Sequence, residues 1–457
     1  MLVGRKQEIH FLDKNYQKNG SQLLALYGKR RTGKTELLKS FCQGKNHSFY
    51  VCRETTDGEQ IRLFSNKILE HDPLQPYIGT FPDWESAFGF LLEKKQEKSI
   101  IIIDEFPYMV QNNPAIPSIL QSVWDSKHQD GNTMLVLTGS AMGYMEKEIL
   151  GGNKPLFGRT DGILVMDELN FIDAVSLLRM DAPMAIESVC ILGGVPRYLQ
   201  QFSPNLNIEE NIKEHILNKG CSLYSEIDYL MKQDLREAAT YYTILEALAK
   251  GFHKIGDISR KTELDRTKIN VYLKILQDLR VVQREQPVTS TKGTNKSHNS
   301  RYRISNHYFR FFFRFMYPHH SWLEEGETDR LYTEIIHPQL ADFYRESLMT
   351  AAKENLISAN KKGELPFSLM VLGPYWDKET ELDLLGLGIH DELLSVAIIS
   401  RPDGAGLDDL QQLRERTALL KRHADKQVFC LFSLHGFHDN LTKMSLLDSS
   451  ILLKKFL

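Results

Sequence analysis

The sequence predicts an α/β fold with a mainly parallel sheet, followed by a helical lid, a winged-helix domain and a second α/β domain. The chain has 457 residues, which at ~150 residues per domain suggests about three domains. The first 165 or so residues alternate short apolar strands with amphipathic helices. After Asp167 the pattern changes to helices without strong strands, and the last ~140 residues return to mixed α and β.

Composition excludes several classes of protein. Net charge is −3 and charged residues make up 25%, so any nucleic-acid site must be regional. The polar N-terminus does not resemble a signal peptide, and no apolar run reaches the ~20 residues of a membrane span. The five cysteines form no CxxC pair, which favours reduced thiols. We therefore expect a cytoplasmic protein with no membrane partner.

The first α/β region contains strands that are apolar along their whole length. Such strands are expected when helices cover both faces of a parallel sheet. The predicted strands and helices are Gln22–Tyr27 (strand), 35–41 (helix), 84–95 (helix), Ser99–Asp104 (strand), 116–125 (helix) and 134–140 (strand).

The stretch GKRRTGKT matches the phosphate-binding pattern GxxxxGK[ST] and stands between a predicted strand and a predicted helix. The glycines let backbone N–H groups surround phosphates, and the helix N-terminus adds positive potential. Lys34 would then reach the β- and γ-phosphates, and the hydroxyl of Thr35 would bind Mg²⁺. A chance match in a Gly/Lys-rich loop is the alternative. The candidate phosphate-binding residues are Gly28, Lys29, Arg30, Arg31, Thr32, Gly33, Lys34 and Thr35.

Two further strands end in polar residues that suit phosphoryl transfer. SIIIIDEFPYM delivers Asp104 and Glu105 to the carboxyl end of a buried strand, where open α/β sheets bind ligands. Asp104 would hold Mg²⁺ through water and Glu105 would polarise the attacking water, unless both are solvated turn residues. MLVLTGSAMG places Thr138 and Ser140 where they would sense the γ-phosphate or merely cap a strand end.

These motifs together resemble the archaeal-type AAA+/STAND-like ATPases. The resemblance rests on VGR (3–5), GKRRTGKT, IIIIDEFPYM, LVLTGS, PLFGRT (155–160) and GGVPRYL (193–199). It implies ATP and Mg²⁺ as cofactors and four parts: an ATPase core (1–165), a lid (166–236), a winged helix (237–306) and a nuclease-like domain (307–457).

The same resemblance assigns further residues. It implies that Val3, Gly4 and Arg5 lie near the adenine, and that Pro196 with Arg197 faces the nucleotide from the lid. It makes Arg159 a catalytic arginine finger or sensor, with a structural ion pair as the equal alternative.

The middle region has the pattern of a winged helix. We expect helices at 243–249, 255–261 and 266–279, then strands at 281–288 and Arg301–Ile304 around the polar tract 289–300. Arg266, Thr267 and Lys268 begin the third helix, the end that reads bases in helix-turn-helix proteins. Residues 251–320 hold fourteen Lys/Arg and five Asp/Glu, which favours contact with double-stranded DNA. The alternative is contact with a partner protein.

The C-terminal region resembles a restriction-endonuclease-like domain with degenerate chemistry. Asp383 stands at the metal-carboxylate position, but Ala397 and Ile399 occupy the positions of the expected Glu and Lys. Tyr344 replaces an upstream glutamate, with Glu346 nearby. The aromatic run 308–317 favours a packing seam over base stacking.

The sequence thus predicts an ATPase in which hydrolysis drives a conformational switch coupled to DNA or to a partner protein. The alternatives are a nucleotide-gated DNA-binding or regulatory protein with marginal hydrolysis and, less favoured, an active nuclease. The oligomeric state is not predicted.

Overall fold

The computed structural model divides the chain into two compact units, Met1–Leu169 and Asn170–Leu457. No helix in the described part of the chain combines the length and the apolar character that crossing a bilayer requires. The described residues are 2–70, 77, 79–93, 97–129, 131–235, 238–289, 299–420, 422 and 424–456.

The first unit is a five-stranded sheet with helices on both faces. Its strands are β1 (Gln22–Tyr27), β2 (His47–Val51), β3 (Ser99–Asp104), β4 (Thr133–Gly139) and β5 (Gly162–Val165). Its helices are α1 (Lys6–Tyr16), α2 (Lys34–Cys42), α3 (Asp57–Ile68), α4 (Trp84–Leu91), α5 (Phe106–Asn112), α6 (Ile116–Lys127) and α7 (Met142–Tyr144), with a π-helical turn at Met145–Ile149.

The strand order is β2-β3-β4-β1-β5, and every pairing is parallel. Alternate residues of β1 enter two separate hydrophobic clusters, Leu23 and Ala25 in one and Leu24 and Leu26 in the other. Both faces of the sheet are therefore covered, which confirms the predicted α/β class. Because parallel strands end at one edge, the residues after β1, β3 and β4 meet there.

The second unit begins with helices, as the change of pattern after Asp167 predicts. They are α8 (Phe171–Leu177), α9 (Ala182–Leu192), α10 (Pro196–Leu199), α11 (Ile208–Ile212) and α12 (Glu226–Asp234), with a π-helical turn at Lys213–Leu217.

Three helices and a two-stranded ribbon follow: α13 (Ala238–Ala249), α14 (Ile255–Thr262), α15 (Arg266–Asp278), β6 (Val282–Glu285) and β7 (Arg301–Ile304). The ribbon is antiparallel, and this order of elements is that of a winged helix. The first helix starts five residues earlier than predicted and β6 ends three residues earlier. Residues 290–298 of the polar tract lie outside the described residues.

The aromatic run is a packing seam. Its rings are buried except for the half-buried Tyr317, and Arg310 between them is only 5% exposed, so the run does not offer a surface for stacking on bases. The segment contains α16 (His307–Phe311), a π-helical turn (Phe312–Met316) and a 3-10 turn (Tyr317–His319).

The last part is a mixed five-stranded sheet in the order β12-β11-β10-β9-β8. The pairings of β8 with β9 and of β9 with β10 are antiparallel, and the other two are parallel. The elements are α17 (His320–Glu325), α18 (Thr328–Leu331), a π-helical turn (Tyr332–Ile336), a 3-10 turn (His337–Gln339), α19 (Leu340–Lys362), β8 (Leu369–Trp376), β9 (Glu381–Gly388), β10 (Glu392–Ile399), α20 (Leu407–Ala418), β11 (Lys426–Ser433), α21 (Asp439–Leu447) and β12 (Ile451–Lys455).

The ribbon is joined to this last sheet by several contacts. Arg301 donates two hydrogen bonds to the carboxylate of Glu381, at 2.7 and 2.9 Å, and its guanidinium lies 4.5 Å from the ring centroid of Trp376. The backbone N–H of Val288 donates to the carbonyl of Pro374 at 2.9 Å. The wing of the winged helix is thus anchored at its base.

Candidate nucleotide-binding site

The loop GKRRTGKT connects β1 to α2 at the carboxyl edge of the first sheet. Gly33 lies in the left-handed region at φ 93° and caps the N-terminus of α2. A Cβ at Gly28 would approach the carbonyl oxygen of Met166 to 2.1 Å, so only glycine fits there. The first N–H groups of a helix have no partner within it, and here they point toward the loop. The arrangement suits an anion such as a phosphate group.

Lys34 is buried beneath this loop. Its Nζ donates to the carbonyl oxygens of Gly28 and Lys29, both at 2.9 Å. Burial lowers the pKa of Lys34, while the negative charges of Glu105 and Asp104 oppose that shift. A cation held by two carbonyls and two nearby carboxylates is positioned to exchange those partners for phosphate oxygens.

Asp104 joins the phosphate loop to the third and fourth strands. Its Oδ2 accepts a hydrogen bond from the hydroxyl of Thr35 at 3.1 Å, and its Oδ1 accepts one from the hydroxyl of Thr138. The structure thus brings the two predicted magnesium ligands together. β4 lies between β1 and β3, which explains why Thr138 reaches this carboxylate.

The donor set fits Mg²⁺ bound together with a nucleotide. Carboxylate and hydroxyl oxygens are the hard ligands that Mg²⁺ prefers, and the remaining positions are usually taken by water and substrate phosphates. Among the described residues no group of three or more His, Cys, Asp or Glu side chains is placed to hold a metal by itself. Thr35 and Asp104 would therefore need phosphate oxygens to complete the site.

Glu105 is held by Ser140. The Ser140 hydroxyl lies 2.8 and 2.9 Å from the two carboxylate oxygens of Glu105, and its backbone N–H donates at 3.2 Å. Glu105 also has φ 53°, an unusual backbone conformation for a residue with a side chain. A conformation of this kind persists only where surrounding contacts fix it, and such residues cluster at functional sites.

Arg5 of the N-terminal VGR sequence is buried against the phosphate loop. Its Nη2 donates to the carbonyl oxygens of Thr32, at 3.1 Å, and Asp167, at 2.8 Å, and its Nη1 pairs with Glu8. These contacts tie the chain start to the loop. The role of Val3, Gly4 and Arg5 near an adenine stays a prediction.

Sequence reasoning missed the segment 166–169, which we call the connecting segment because it ends the first unit. The Met166 N–H donates to the carbonyl of Tyr27 at 2.7 Å, and Glu168 pairs with Lys29 of the phosphate loop at 3.0 Å. Together with the Arg5 contact to Asp167, these bonds fasten the segment to the loop. The sequence feature that could have indicated this segment is the acidic pair Asp167 and Glu168 in MDEL.

Arg159 forms the structural ion pair that was the alternative to a catalytic role. Its Nε lies 3.0 and 3.1 Å from the two carboxylate oxygens of Asp125, and its Nη2 lies 3.0 Å from one of them. The hydrogen bonds to Arg159 lower the pKa of Asp125. A catalytic Arg159 stays a prediction and would require this pair to open.

Pro196 and Arg197 belong to the second unit, where Pro196 begins α10. Their predicted contact with a nucleotide stays a prediction.

Three family models match the chain. An ATPase domain found predominantly in Archaea matches residues 2–202, a bacterial regulatory protein of the arsR family matches 242–284, and archaeal and bacterial proteins of unknown function match 312–398. An uncharacterized protein of Methanocaldococcus jannaschii is 32% identical over 397 residues, which cover 86% of this chain and 85% of that protein. The chain belongs to the archaeal ATPase family. The first match assigns an ATPase domain to the phosphate loop and its sheet.

Solved structures are similar to this chain. A Walker-type ATPase of Pyrococcus abyssi superposes with a TM-score of 0.51 at 19% identity, over 68% of this chain and 96% of that one. The ORC2 protein of Aeropyrum pernix, solved as ADPNP-ADP complexes, has a TM-score of 0.44 at 15% identity, over 76% and 95%. The first likeness supports a P-loop NTPase fold.

The start of α15 is exposed to solvent. Arg266, Thr267 and Lys268 are exposed, and the carboxylate of Asp265 accepts a hydrogen bond from the Thr267 N–H at 2.7 Å. Ile269 and Leu273, further along the helix, are buried. The exposed basic residues therefore lie at the N-terminal end of α15.

In the C-terminal region, an arginine lies beside the predicted metal carboxylate. Asp383 Oδ1 accepts from Arg345 Nη2 at 2.7 Å, and its Oδ2 accepts from the Ile398 N–H at 2.9 Å. Both oxygens are thus engaged by donors, and the flanking Ala397 and Ile399 have no metal ligands. The loss of metal chemistry in this region stays a prediction.

Proposed function

We propose that this protein binds ATP with Mg²⁺ at the edge of its first sheet and hydrolyses it to ADP and phosphate. The proposal rests on the convergence of Lys34, Thr35, Asp104 and Glu105, which come from two segments far apart in sequence, around one phosphate-binding loop.

Each residue has a distinct role in this proposal. The loop N–H groups and Lys34 bind the phosphates, and Thr35 and Asp104 would hold Mg²⁺, which neutralises phosphate charge and orients the γ-phosphoryl group. Glu105 polarises the attacking water, and Thr138 keeps Asp104 oriented. Phosphoryl transfer needs mainly such positioning and charge neutralisation, so no covalent nucleophile is required.

Hydrolysis in this proposal drives a slow conformational switch. Glu105 is held by Ser140 on both oxygens, so it must be released or share this contact before it can act on water. The connecting segment contacts the phosphate loop through Lys29 and Arg5, so a change at the loop is transmitted to the end of the first unit.

We further propose that the switch is coupled to double-stranded DNA through the start of α15. Arg266 and Lys268 are exposed in a region with a surplus of nine basic residues, although the whole chain has a net charge of −3. Exposed basic side chains bind phosphates by releasing counterions, and the N-terminal end of a recognition helix contacts bases. A partner protein at the same surface is the alternative.

The first experiment is steady-state phosphate release from Mg-ATP with the wild type and Lys34→Ala, with and without duplex DNA. Lys39→Ala is the matched control, because Lys39 is an exposed lysine on the same helix. We expect turnover that Lys34→Ala abolishes, Lys39→Ala preserves and DNA increases. Turnover that is equal in wild type and Lys34→Ala would contradict the proposed site.

A second candidate function is a nucleotide-gated DNA-binding or regulatory protein with marginal hydrolysis. The contact between Ser140 and Glu105 favours it, since a base engaged on both oxygens is poorly placed to polarise water. ATP-dependent DNA binding with phosphate release near background would support this function. An active nuclease is disfavoured by Arg345 at Asp383, and plasmid DNA incubated with Mg²⁺ or Mn²⁺ should stay intact.

A further inference from the structure

The phosphate loop carries an arginine whose side chain has no partner in the part of the chain that the structure describes. Arg30 is half-buried, and its guanidinium makes neither a hydrogen bond nor an ion pair with another described residue. A guanidinium stays charged at every physiological pH and offers several N–H donors in one plane. Arg30 therefore brings a permanent positive charge with free donors to the loop.

The other cations of this loop are engaged. Lys29 pairs with Glu168 at 3.0 Å, and the Nζ of Lys34 donates to the carbonyl oxygens of Gly28 and Lys29. Arg31 has further interactions of its own. These contacts hold the loop together, and the side chain of Arg30 takes no part in them.

Arg30 lies close enough to Lys34 for the two charges to interact. Burial lowers the pKa of Lys34, and the positive charge of Arg30 adds to that shift, while Glu105 and Asp104 oppose it. Two neighbouring cations repel each other, whereas a polyphosphate bound by both is attracted to each. The charge of Arg30 thus acts on the group that is expected to reach the β- and γ-phosphates.

The backbone beside Arg30 is constrained. Arg31 follows it directly and has φ 65°, in the left-handed region that residues with a side chain rarely adopt. Such a conformation costs free energy and persists where surrounding contacts fix it, often at functional sites. Arg30 therefore belongs to a fixed part of the loop and not to a freely moving surface turn.

The arginine that the resemblance to ATPases offers for catalysis is engaged elsewhere. The Nε of Arg159 lies 3.0 and 3.1 Å from the two carboxylate oxygens of Asp125, and its Nη2 lies 3.0 Å from one of them. Arg159 would have to leave this carboxylate before it could contact a nucleotide. Arg30 has no such partner to give up and is already in the phosphate loop.

We propose that Arg30 binds the γ-phosphate of ATP and stabilises the transition state of hydrolysis from within the same chain. This inference rests on the proposed function, in which ATP binds at this loop. The oxygen of a water molecule forms a bond to the γ-phosphorus, and Glu105 accepts a proton from that water. The bond between the γ-phosphorus and the β,γ-bridging oxygen breaks, its electron pair stays with ADP, and inorganic phosphate is released. Negative charge on the γ-phosphoryl oxygens is then shared with the planar N–H groups of Arg30.

The test compares binding of a product with binding of a transition-state mimic. Calorimetric titrations measure the affinity of the full-length protein for Mg-ADP and for Mg-ADP with aluminium fluoride, which imitates the transferring phosphoryl group. The proteins are the wild type, Lys34→Ala, Arg30→Ala and Arg30→Lys, and phosphate release from Mg-ATP is measured for each. Arg62→Ala is the matched control, because Arg62 is an exposed arginine of the same unit and is paired with Glu59. Circular dichroism checks the fold, and Arg30→Lys keeps the test valid if Arg30→Ala does not fold.

We expect Arg30→Ala to bind Mg-ADP within about threefold of the wild type, but to bind the aluminium fluoride complex on the order of 100-fold more weakly. Its kcat should fall roughly 1,000-fold, the low end of what a catalytic arginine contributes to phosphoryl transfer. Arg30→Lys should lie between the two, because an ammonium group keeps the charge but not the planar pair of donors. Arg62→Ala should match the wild type, and turnover per chain should not change with protein concentration.

Equal affinity of the wild type and Arg30→Ala for the aluminium fluoride complex would overturn the proposal. An equal loss for both complexes would also overturn it, since Arg30 would then bind nucleotide without favouring the transition state. Turnover per chain that rises with protein concentration would assign the arginine to a second copy of the chain. A wild type that binds Mg-ADP no better than Lys34→Ala would contradict the proposed nucleotide site itself, and this inference with it.

Discussion

At the scale of single residues, the contact between Ser140 and Glu105 is the feature that most directly controls the proposed hydrolysis. The hydroxyl and the backbone N–H of Ser140 engage both carboxylate oxygens of Glu105. The left-handed φ of Glu105 shows that the backbone is also constrained. The carboxylate therefore has a defined resting position, and its release is a step that a substitution can change.

We expect Ser140→Ala to raise the basal rate of ATP hydrolysis about threefold, because it removes the hydroxyl that contacts both carboxylate oxygens of Glu105. Glu105→Gln in the same assay should lower kcat by roughly 100-fold or more, the range for loss of a general base. Steady-state phosphate release measures both. Ser126→Ala, which removes a hydroxyl on α6, is the control, and a tenfold fall in Ser140→Ala would instead make Ser140 a positioning residue for catalysis.

Glu187 on α9 predicts a pH-dependent stability. Burial and the nearby charge of Asp181 raise its pKa to about 7, from an ordinary 4.5, and it faces Tyr332 and Tyr344. Because its pKa is higher in the folded protein, Glu187 adds to the free energy of unfolding. That contribution is fully present below pH ~4.5 and is lost as the pH rises through about 7.

We therefore expect the difference in Tm between Glu187→Gln and the wild type to depend on pH. Relative to its value near pH 5, this difference should shift in favour of Glu187→Gln as the pH rises to 8. Thermal unfolding in a pH series measures the difference. The exposed Glu325→Gln serves as the control and should show no such trend. A constant offset at all pH values would contradict the raised pKa of Glu187.

At the scale of elements, the sequence predicts best the strands that are buried on both faces. Ser99–Asp104 and Gln22–Tyr27 have the predicted bounds, because an unbroken apolar run leaves little choice of register or end. The edge strand His47–Val51 was not predicted, since it is short, only Tyr50 in it is buried, and it includes polar side chains. Helix α4 ends at Leu91, before the predicted 95, because sequence periodicity does not fix where packing stops.

The candidate site was predictable to a similar degree. The pattern GxxxxGK[ST] identifies Lys34 and Thr35 because its spacing depends on local backbone geometry. The contacts of Arg5 and Glu168 with the loop were not predictable, since they join residues 27 and 139 positions from their partners through the tertiary fold. Periodicity and propensity carry no information about such pairs.

The exposed start of α15 carries a prediction at this scale. We expect Arg266→Ala combined with Lys268→Ala to weaken duplex DNA binding on the order of tenfold and to reduce the salt dependence of log K by up to about two, because each lost phosphate contact retains one counterion. Fluorescence anisotropy between 50 and 200 mM salt measures both quantities. Lys361→Ala on α19 is the control, and unchanged DNA affinity would move this surface to a protein partner.

At the scale of the whole molecule, the proposed switch depends on the connecting segment 166–169, which lies between the phosphate loop and the second unit in the chain. It leads directly into the second unit at Asn170, and Glu168, Asp167 and Met166 all contact the phosphate loop, the Arg5 side chain or the end of β1. The ion pair of Glu168 with Lys29 is partly exposed and is therefore weak alone, whereas Arg5 and Met166 are buried. A weak, partly exposed ion pair is readily exchanged, which suits the proposed switch.

We expect Glu168→Gln to change ATP affinity less than threefold and to abolish the effect of ATP on DNA affinity. The reason is that Lys29 of the phosphate loop then loses its ion pair with the connecting segment. Anisotropy titrations with DNA, with and without Mg-ATP, measure the coupling as a ratio of two dissociation constants. Glu8→Gln, which removes the carboxylate partner of Arg5 outside the connecting segment, is the matched control. A coupling ratio that is unchanged in Glu168→Gln would show that the connecting segment does not transmit the nucleotide state.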